Sequence, residues 1–186
     1  MNTLKLFALF TLFIGALFRS HCAMAEGIVF TPSFMVMNWE DDVSNNSISK
    51  VNATYMDFKL GYQWPSGLYI GAIYATMDRN ENSVDRVRTS YGGTLGFDSA
   101  QGIYLHGSYL ISSTYKIDAN DTLQSGTGLQ FDFGYLFRVA NILQLGPQIT
   151  YRTFTYSKEQ SSGVVSSVSS TKSTETLPFV VFSFTF

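Results

Sequence analysis

Beyond its first 25 residues the chain alternates apolar and polar side chains with a period of two, segment after segment. The segments are joined by connections that alternate strictly between short and long. A period of two places successive side chains on opposite faces, which is the geometry of a strand. In "LQLGPQITYRTFTY" (Leu143 to Tyr156), Leu143, Leu145, Pro147, Ile149 and Tyr151 face one way, and Gln144, Gly146, Gln148, Thr150 and Arg152 the other. "GLQFDFGYLFRV" likewise sets Leu129, Phe131, Phe133, Tyr135 and Phe137 against Gln130, Asp132, Gly134 and Arg138. The pattern predicts eight strands, over about 28–39, 51–63, 68–78, 87–97, 102–115, 127–138, 143–156 and 176–186. The first is the least regular, because "VFTPSFMVMNW" has apolar residues in both parities and a proline.

The short connections are "WPSG" (Trp64 to Gly67), "DSAQ" (Asp98 to Gln101) and "VANI" (Val139 to Ile142). The long ones are "EDDVSNNSISK", "DRNENSVDR", "KIDANDTLQSG" and "SKEQSSGVVSSVSSTKSTE". Strict alternation sends every long loop to one end of an up-and-down meander and every short turn to the other. Short periplasmic turns opposite longer extracellular loops are the asymmetry of an outer-membrane barrel.

A soluble calyx has the same meander with its faces reversed, apolar inside and polar outside. Glycine and charge separate the two. The polar faces carry Gly61, Gly92, Gly96, Gly134 and Gly146 beside Asp57, Lys59, Arg88, Asp132, Arg138 and Arg152. A water-exposed face has no reason to collect glycine, whereas a narrow lumen needs small residues to make room for long ones. The opposite faces are broad and aromatic, with Trp64, Phe97, Phe137 and Phe186 near the short turns and Tyr74, Tyr115 and Tyr156 near the loops. Two aromatic girdles suit two membrane–water interfaces. The fold class expected is an all-β, eight-stranded antiparallel up-and-down transmembrane β-barrel. In it Asp57, Lys59, Arg88, Asp132, Arg138 and Arg152 form a luminal ionic network, since buried charges must be paired.

The first 25 residues read differently. Lys5 precedes an apolar run, "LFALFTLFIGALF" (Leu6 to Phe18), and "AMA" (Ala23 to Ala25) places small residues at a cleavage site. This is the pattern of a secretory signal peptide, too short for a spanning helix. Domains are therefore expected at 1–25 (signal peptide) and 26–186 (barrel). The single cysteine, Cys22, falls in the leader, and Arg19 and His21 beside it do not fit a lipobox. Removing Lys5 and Arg19 from 12 basic residues leaves ten against 14 acidic ones, with no basic stripe. That excludes a nucleic-acid partner. No metal-ligand cluster and no cofactor motif is read.

The chain ends "TLPFVVFSFTF", with Phe186, Phe184, Phe182 and Val180 on alternate positions. In lipid an unpaired backbone group costs several kcal/mol, so the last strand is expected to pair along its whole length. With this ending and the eight-strand architecture, the chain resembles the small eight-stranded bacterial outer-membrane proteins of the OmpA, OmpX and NspA kind. The resemblance implies that Phe182, Phe184 and Phe186 are read by the barrel-assembly machinery. It also implies a multi-pass location in the bacterial outer membrane, amid lipid and lipopolysaccharide.

"HGS" (His106 to Ser108) resembles the His-x-Ser pair of the outer-membrane lipid A deacylase PagL. Tyr109 stands where that family has asparagine, the pair lies mid-chain, both side chains turn inward, and no carboxylate is identifiable as a third member. The chain is expected not to be an enzyme. Its expected function is structural, or one of contact with host or cell-surface ligands through four extracellular loops. A narrow channel is the alternative. A large porin is excluded, because eight strands enclose only enough space for side chains. The serine-rich stretch 157–175 reads as a flexible loop or as a hairpin raised above the membrane.

Overall fold

The computed structural model describes residues 26–43, 47–82, 84–118 and 121–186. The leader and Cys22 lie outside the described residues, as do the side chains of 40–49, 168 and 169. Nine strand segments follow one another: β1 (Gly27–Val43), β2 (Ser47–Gln63), β3 (Leu68–Glu81), β4 (Val84–Asp98), β5 (Ile103–Lys116), β6 (Asp121–Tyr135), β7 (Phe137–Arg138), β8 (Leu143–Ser161) and β9 (Val164–Thr185). All neighbours are antiparallel, and β6 and β7 both pair with β8, so β7 continues β6 past Leu136. The break falls opposite Pro147, which has no N–H to donate. Pairing of β1 with β9 closes the ring, giving eight staves.

The stagger of the ring follows from its register. Partners run from Val29 through Gly61, Gly71, Thr94, Ser108, Gln130 and Arg152 to Glu175. Yet Val29 itself pairs with Thr185, ten residues beyond Glu175. At about 3.3 Å per residue against eight strand spacings of about 4.8 Å, that stagger tilts the strands by roughly 40°.

The three short turns form where the sequence places them, the second one residue later, at 99–102. Gly67 and Gly102 sit at φ 86° and 92°, a region costly for any side chain. Their N–H groups bond back to Trp64 and Ser99, each at 2.9 Å.

The far end departs from expectation. Stretches read as long loops are mostly strand: Glu81 pairs with Val84 across Asn82 (φ 51°), and Ser161 pairs with Val164 across Ser162 and Gly163. Ser162 and Gly163 have φ 48° and 85°, the two positive angles of a type I′ hairpin turn. The stretch 157–175 is thus a hairpin. Where both faces meet water, no period-two signal is required, although backbone pairing continues; that is why the sequence pattern stopped short.

Exposure assigns the two faces. Leu60, Phe131, Phe133 and Ile149 are more than half exposed, while Asp57, Lys59 and Asp132 are fully buried. The outward rows are apolar from the turns upward, with no charged side chain among the described residues. They give way to Thr54, Thr76, Thr89, Thr127, Thr153 and Thr176. From Trp64 to Met56, eight residue steps along a tilted strand span roughly 20 Å, close to the apolar band of a membrane barrel. The calyx reading is excluded, because the apolar face is the outer one.

Tyr74, Tyr91 and Tyr151 each precede one of those threonines on the outer face. Tyr115 and Tyr156, expected in the same girdle, turn inward instead and pack on luminal clusters. Register shifts in β5 between Leu110 and Tyr115 reverse the parity there.

The closing seam is shorter than expected. The chain end is paired, since Phe186 and Ile28 exchange both backbone bonds (2.9 and 3.1 Å). Among the described residues, however, β1 and β9 pair only at Val29–Thr185, Phe30–Phe184, Ser33–Val181 and Phe34–Val180. In an antiparallel pair only alternate residues direct N–H and C=O at a given neighbour. From Ile28 and Phe186, these are the even-numbered residues of both strands. Pro32 and Pro178 both fall on such positions, and each removes one donor from this seam.

Candidate functional site

Among the described residues, the lumen gathers a connected set of buried charged side chains. Asp57 and Lys59 project from β2, which stands opposite β6 in a ring of eight. Lys59 Nζ lies 2.8 Å from Asp132 Oδ2 on β6, both side chains fully buried. Asp132 also accepts from Thr150 Oγ1 (2.7 Å), Gln130 Nε2 (3.0 Å) and Gln148 Nε2 (3.2 Å). One carboxylate thus meets a cation and three neutral donors.

Nearer the loops, Arg152 Nη1 reaches Asp57 Oδ1 at 3.2 Å, and its Nε reaches Glu175 Oε2 at 3.0 Å. Arg88 forms a two-pronged pair with Glu175, Nη1 to Oε1 being 2.9 Å. Its guanidinium also lies 4.1 Å from the ring centroid of Phe154, a favourable position for a cation over an aromatic face. Gln130 joins the two levels, donating to Asp57 at 2.8 Å as well as to Asp132. Three cations (Lys59, Arg88, Arg152) face three carboxylates (Asp57, Asp132, Glu175), so the ladder is neutral and crosses the full width of the barrel.

Of the residues expected in this network, the structure brings together Asp57, Lys59, Arg88, Asp132 and Arg152. Arg138 is not among them: it keeps the inward parity, paired with Gln144, but lies exposed on β7 beside the third turn, at the end of the ring. Glu175 is the member that sequence reading missed. In the sequence it stands as the last residue of a long loop, although the alternation through Leu177, Phe179 and Val181 places it on the inner face.

The luminal glycines have a different use from the one expected. A Cβ on Gly61 or Gly71 would strike the Tyr69 ring or hydroxyl, and one on Gly96 would come within 2.0 Å of His106 Cδ2. Gly126, Gly128 and Gly134 likewise face the rings of Tyr156, Phe154 and Tyr104. At these positions glycine makes room for aromatic rings rather than for the long ionic side chains, whereas at Gly92 and Gly146 a Cβ would strike the carbonyl oxygens of Tyr109 and Tyr135.

His106 and Ser108 both face inward, but they do not meet each other's functional atoms. His106 Nε2 lies 2.7 Å from Asp98 Oδ1, and Ser108 Oγ lies 2.8 Å from Thr94 Oγ1. The carboxylate that the sequence did not identify is Asp98, the last residue of β4. Tyr69 stacks on the imidazole at 4.7 Å. At the chain end, Phe184 stacks on Phe30 (6.4 Å), Phe182 packs on Phe34 (5.6 Å), and Phe186 is exposed.

No protein-family model and no curated protein matches the chain. Among solved structures it is similar to the β domain of the Bordetella autotransporter Brka: 16% identity, 86% of this chain and 71% of that one, TM-score 0.47. It is also similar to the translocator domain of the autotransporter NalP from Neisseria meningitidis: 11% identity, 94% and 68% covered, TM-score 0.43. A third likeness is to OmpT, an outer membrane protein of Vibrio cholerae: 14% identity, 86% and 52% covered, TM-score 0.35. At such identities the likeness is one of general architecture.

Proposed function

We propose that the chain is an integral protein of a bacterial outer membrane, with a lumen sealed by side chains and a role in surface contact. The carrying observation is the pair of ionic crossings, Lys59–Asp132 and Arg152–Asp57, whose members are essentially inaccessible to solvent. A barrel bridged across its width in this way holds its shape and has no wide passage. The apolar outer band provides for residence in lipid.

Contact with the surroundings then falls to the loop end, and above all to the β8–β9 hairpin. From Thr153 to its turn this hairpin runs nine residues, roughly 30 Å along the strand. Its tip exposes Val164 and Val165. The partner class is a host or neighbouring-cell surface ligand, or the lipopolysaccharide around the barrel. The terminal aromatics Phe182, Phe184 and Phe186 serve recognition by the assembly machinery.

Planar-bilayer recording tests the sealed lumen. The expected result is no steady ion conductance from the wild-type barrel and conductance in Lys59→Ala/Arg152→Ala. Steady conductance of the wild type would establish the channel alternative instead.

A further inference from the structure

We propose that the upper part of the β1–β9 seam is a lateral opening, through which the acyl chain of an outer-leaflet lipid reaches an apolar cluster inside the barrel. This rests on the membrane-embedded reading above.

Register continued past Phe34–Val180 would set Val36 opposite Pro178, but the pairing has ended there. On their other sides both strands remain paired, β1 with β2 as far as Val43 and β9 with β8 up to Val164. The gap is therefore local to this seam. Val36 and Pro178 are exposed and are the last apolar residues of their outward rows, below Asn38 and Thr176. At this upper edge of the band interfacial water can reach backbone groups, so an unzipped seam escapes the penalty it would carry at mid-membrane.

A strand from another chain is a poor occupant. Pro178 presents no N–H where such a strand would need one, and proline is a usual means of blunting a sheet edge. A hydrocarbon chain needs no backbone partner. It also finds apolar surroundings at both ends of the passage.

Outside the seam stand Phe34, Val36, Pro178 and Val180. Inside, Leu177 and Phe179 belong to a buried cluster with Ala53, Tyr55 and Met77, against which Met35 and Met37 pack. A second luminal cluster, with Leu123, Phe154 and Tyr156, lies behind paired strands. The residues around Leu177 and Phe179 are the apolar ones that stand where the wall is unpaired. Three of them are methionines, whose unbranched side chains repack readily around a guest. Side chains alone close the wall here, and they can give way.

Quenching by lipids with brominated acyl chains tests the proposal. With Trp39 and Trp64 replaced by Phe, a single reporter is introduced by Phe179→Trp (lumen, behind the seam), Phe154→Trp (lumen, behind paired strands) or Phe133→Trp (lipid face). Each barrel is reconstituted in phosphatidylcholine vesicles with and without brominated chains. The expected result is quenching of Phe179→Trp nearly as strong as that of Phe133→Trp, with Phe154→Trp little affected. Adding Pro178→Val, which restores an N–H to the seam, should lower the quenching of the Phe179→Trp indole. The lateral opening is overturned if Phe179→Trp is as protected as Phe154→Trp, or if Pro178→Val leaves its quenching unchanged. Failure of the membrane reading is distinct: Phe133→Trp itself would then go unquenched.

Discussion

Asp132 holds its charge against one cation and three neutral donors, and this unequal division decides what its loss of partner costs. Lys59→Met would leave a buried carboxylate with hydrogen bonds but no counter-charge, a change that costs about 3–5 kcal/mol when a buried ion pair loses one partner. Lys59→Met/Asp132→Leu should be much milder than either single change, giving a strongly non-additive cycle. The same cycle with Asp57 should show weaker coupling, because Asp57 is paired with Arg152 and linked to Asp132 only through Gln130. Urea unfolding in lipid vesicles, followed by the gel shift of the folded barrel, measures all three. A second test at this scale concerns Gly96, whose added Cβ would overlap His106. Gly96→Ala should cost about 1–3 kcal/mol by overpacking, and His106→Ala in the same chain should recover most of it. An additive double variant would show that the imidazole is not the obstacle.

Strands β8 and β9 are the longest elements, at 19 and 22 residues, and only part of each lies in the apolar band. Burial alternates residue by residue from Gly146 to Arg152 and from Thr176 to Val181, because one face meets lipid and the other the lumen. Beyond Tyr156 and Thr171 the chain runs into water, and serine, threonine and valine follow one another with no fixed period. Stability should divide along the same line. Replacing Ser157–Ser170 by Asn-Gly, so that a tight turn joins Tyr156 to its partner Thr171, should leave the unfolding midpoint of the barrel unchanged while removing the surface hairpin. A large fall in midpoint would mean that the hairpin supports the barrel and is not simply carried by it.

At the scale of the whole molecule, the proposed membrane reading predicts that the turn end and the hairpin end lie in two compartments. Ser66 lies in a turn at one end and Gly163 at the tip of the tallest hairpin at the other. A cysteine introduced by Gly163→Cys should react with a membrane-impermeant maleimide on intact cells, and one introduced by Ser66→Cys only after the outer membrane is opened. Labelling of both, or the reverse order, would contradict the orientation. Gly163 tolerates the change sterically, since a Cβ there meets nothing within 4 Å, although its φ of +85° strains the turn.

The sequence by itself determined the staves, the order of the turns, and which face is polar. These depend on one residue and its neighbours two positions away, and on loops whose lengths can be read directly. It also placed Asp57, Lys59, Arg88, Asp132 and Arg152 on the inner face, because parity carries along an unbroken strand. Parity failed in β5, where register shifts turn Tyr115 inward; Arg138 keeps its parity past Leu136 and is exposed because it lies at the turn end of the ring. Which carboxylate meets which cation was decided only in three dimensions, since it depends on the stagger of strands far apart in the chain. By that stagger Lys59 faces Asp132 rather than its near neighbour Asp57, Glu175 joins Arg88 and Arg152, and Asp98 meets His106. The half-open seam belongs to the tertiary structure for the same reason. Two prolines separated by 146 positions, Pro32 and Pro178, weaken the wall only because closure brings both to one line of hydrogen bonds.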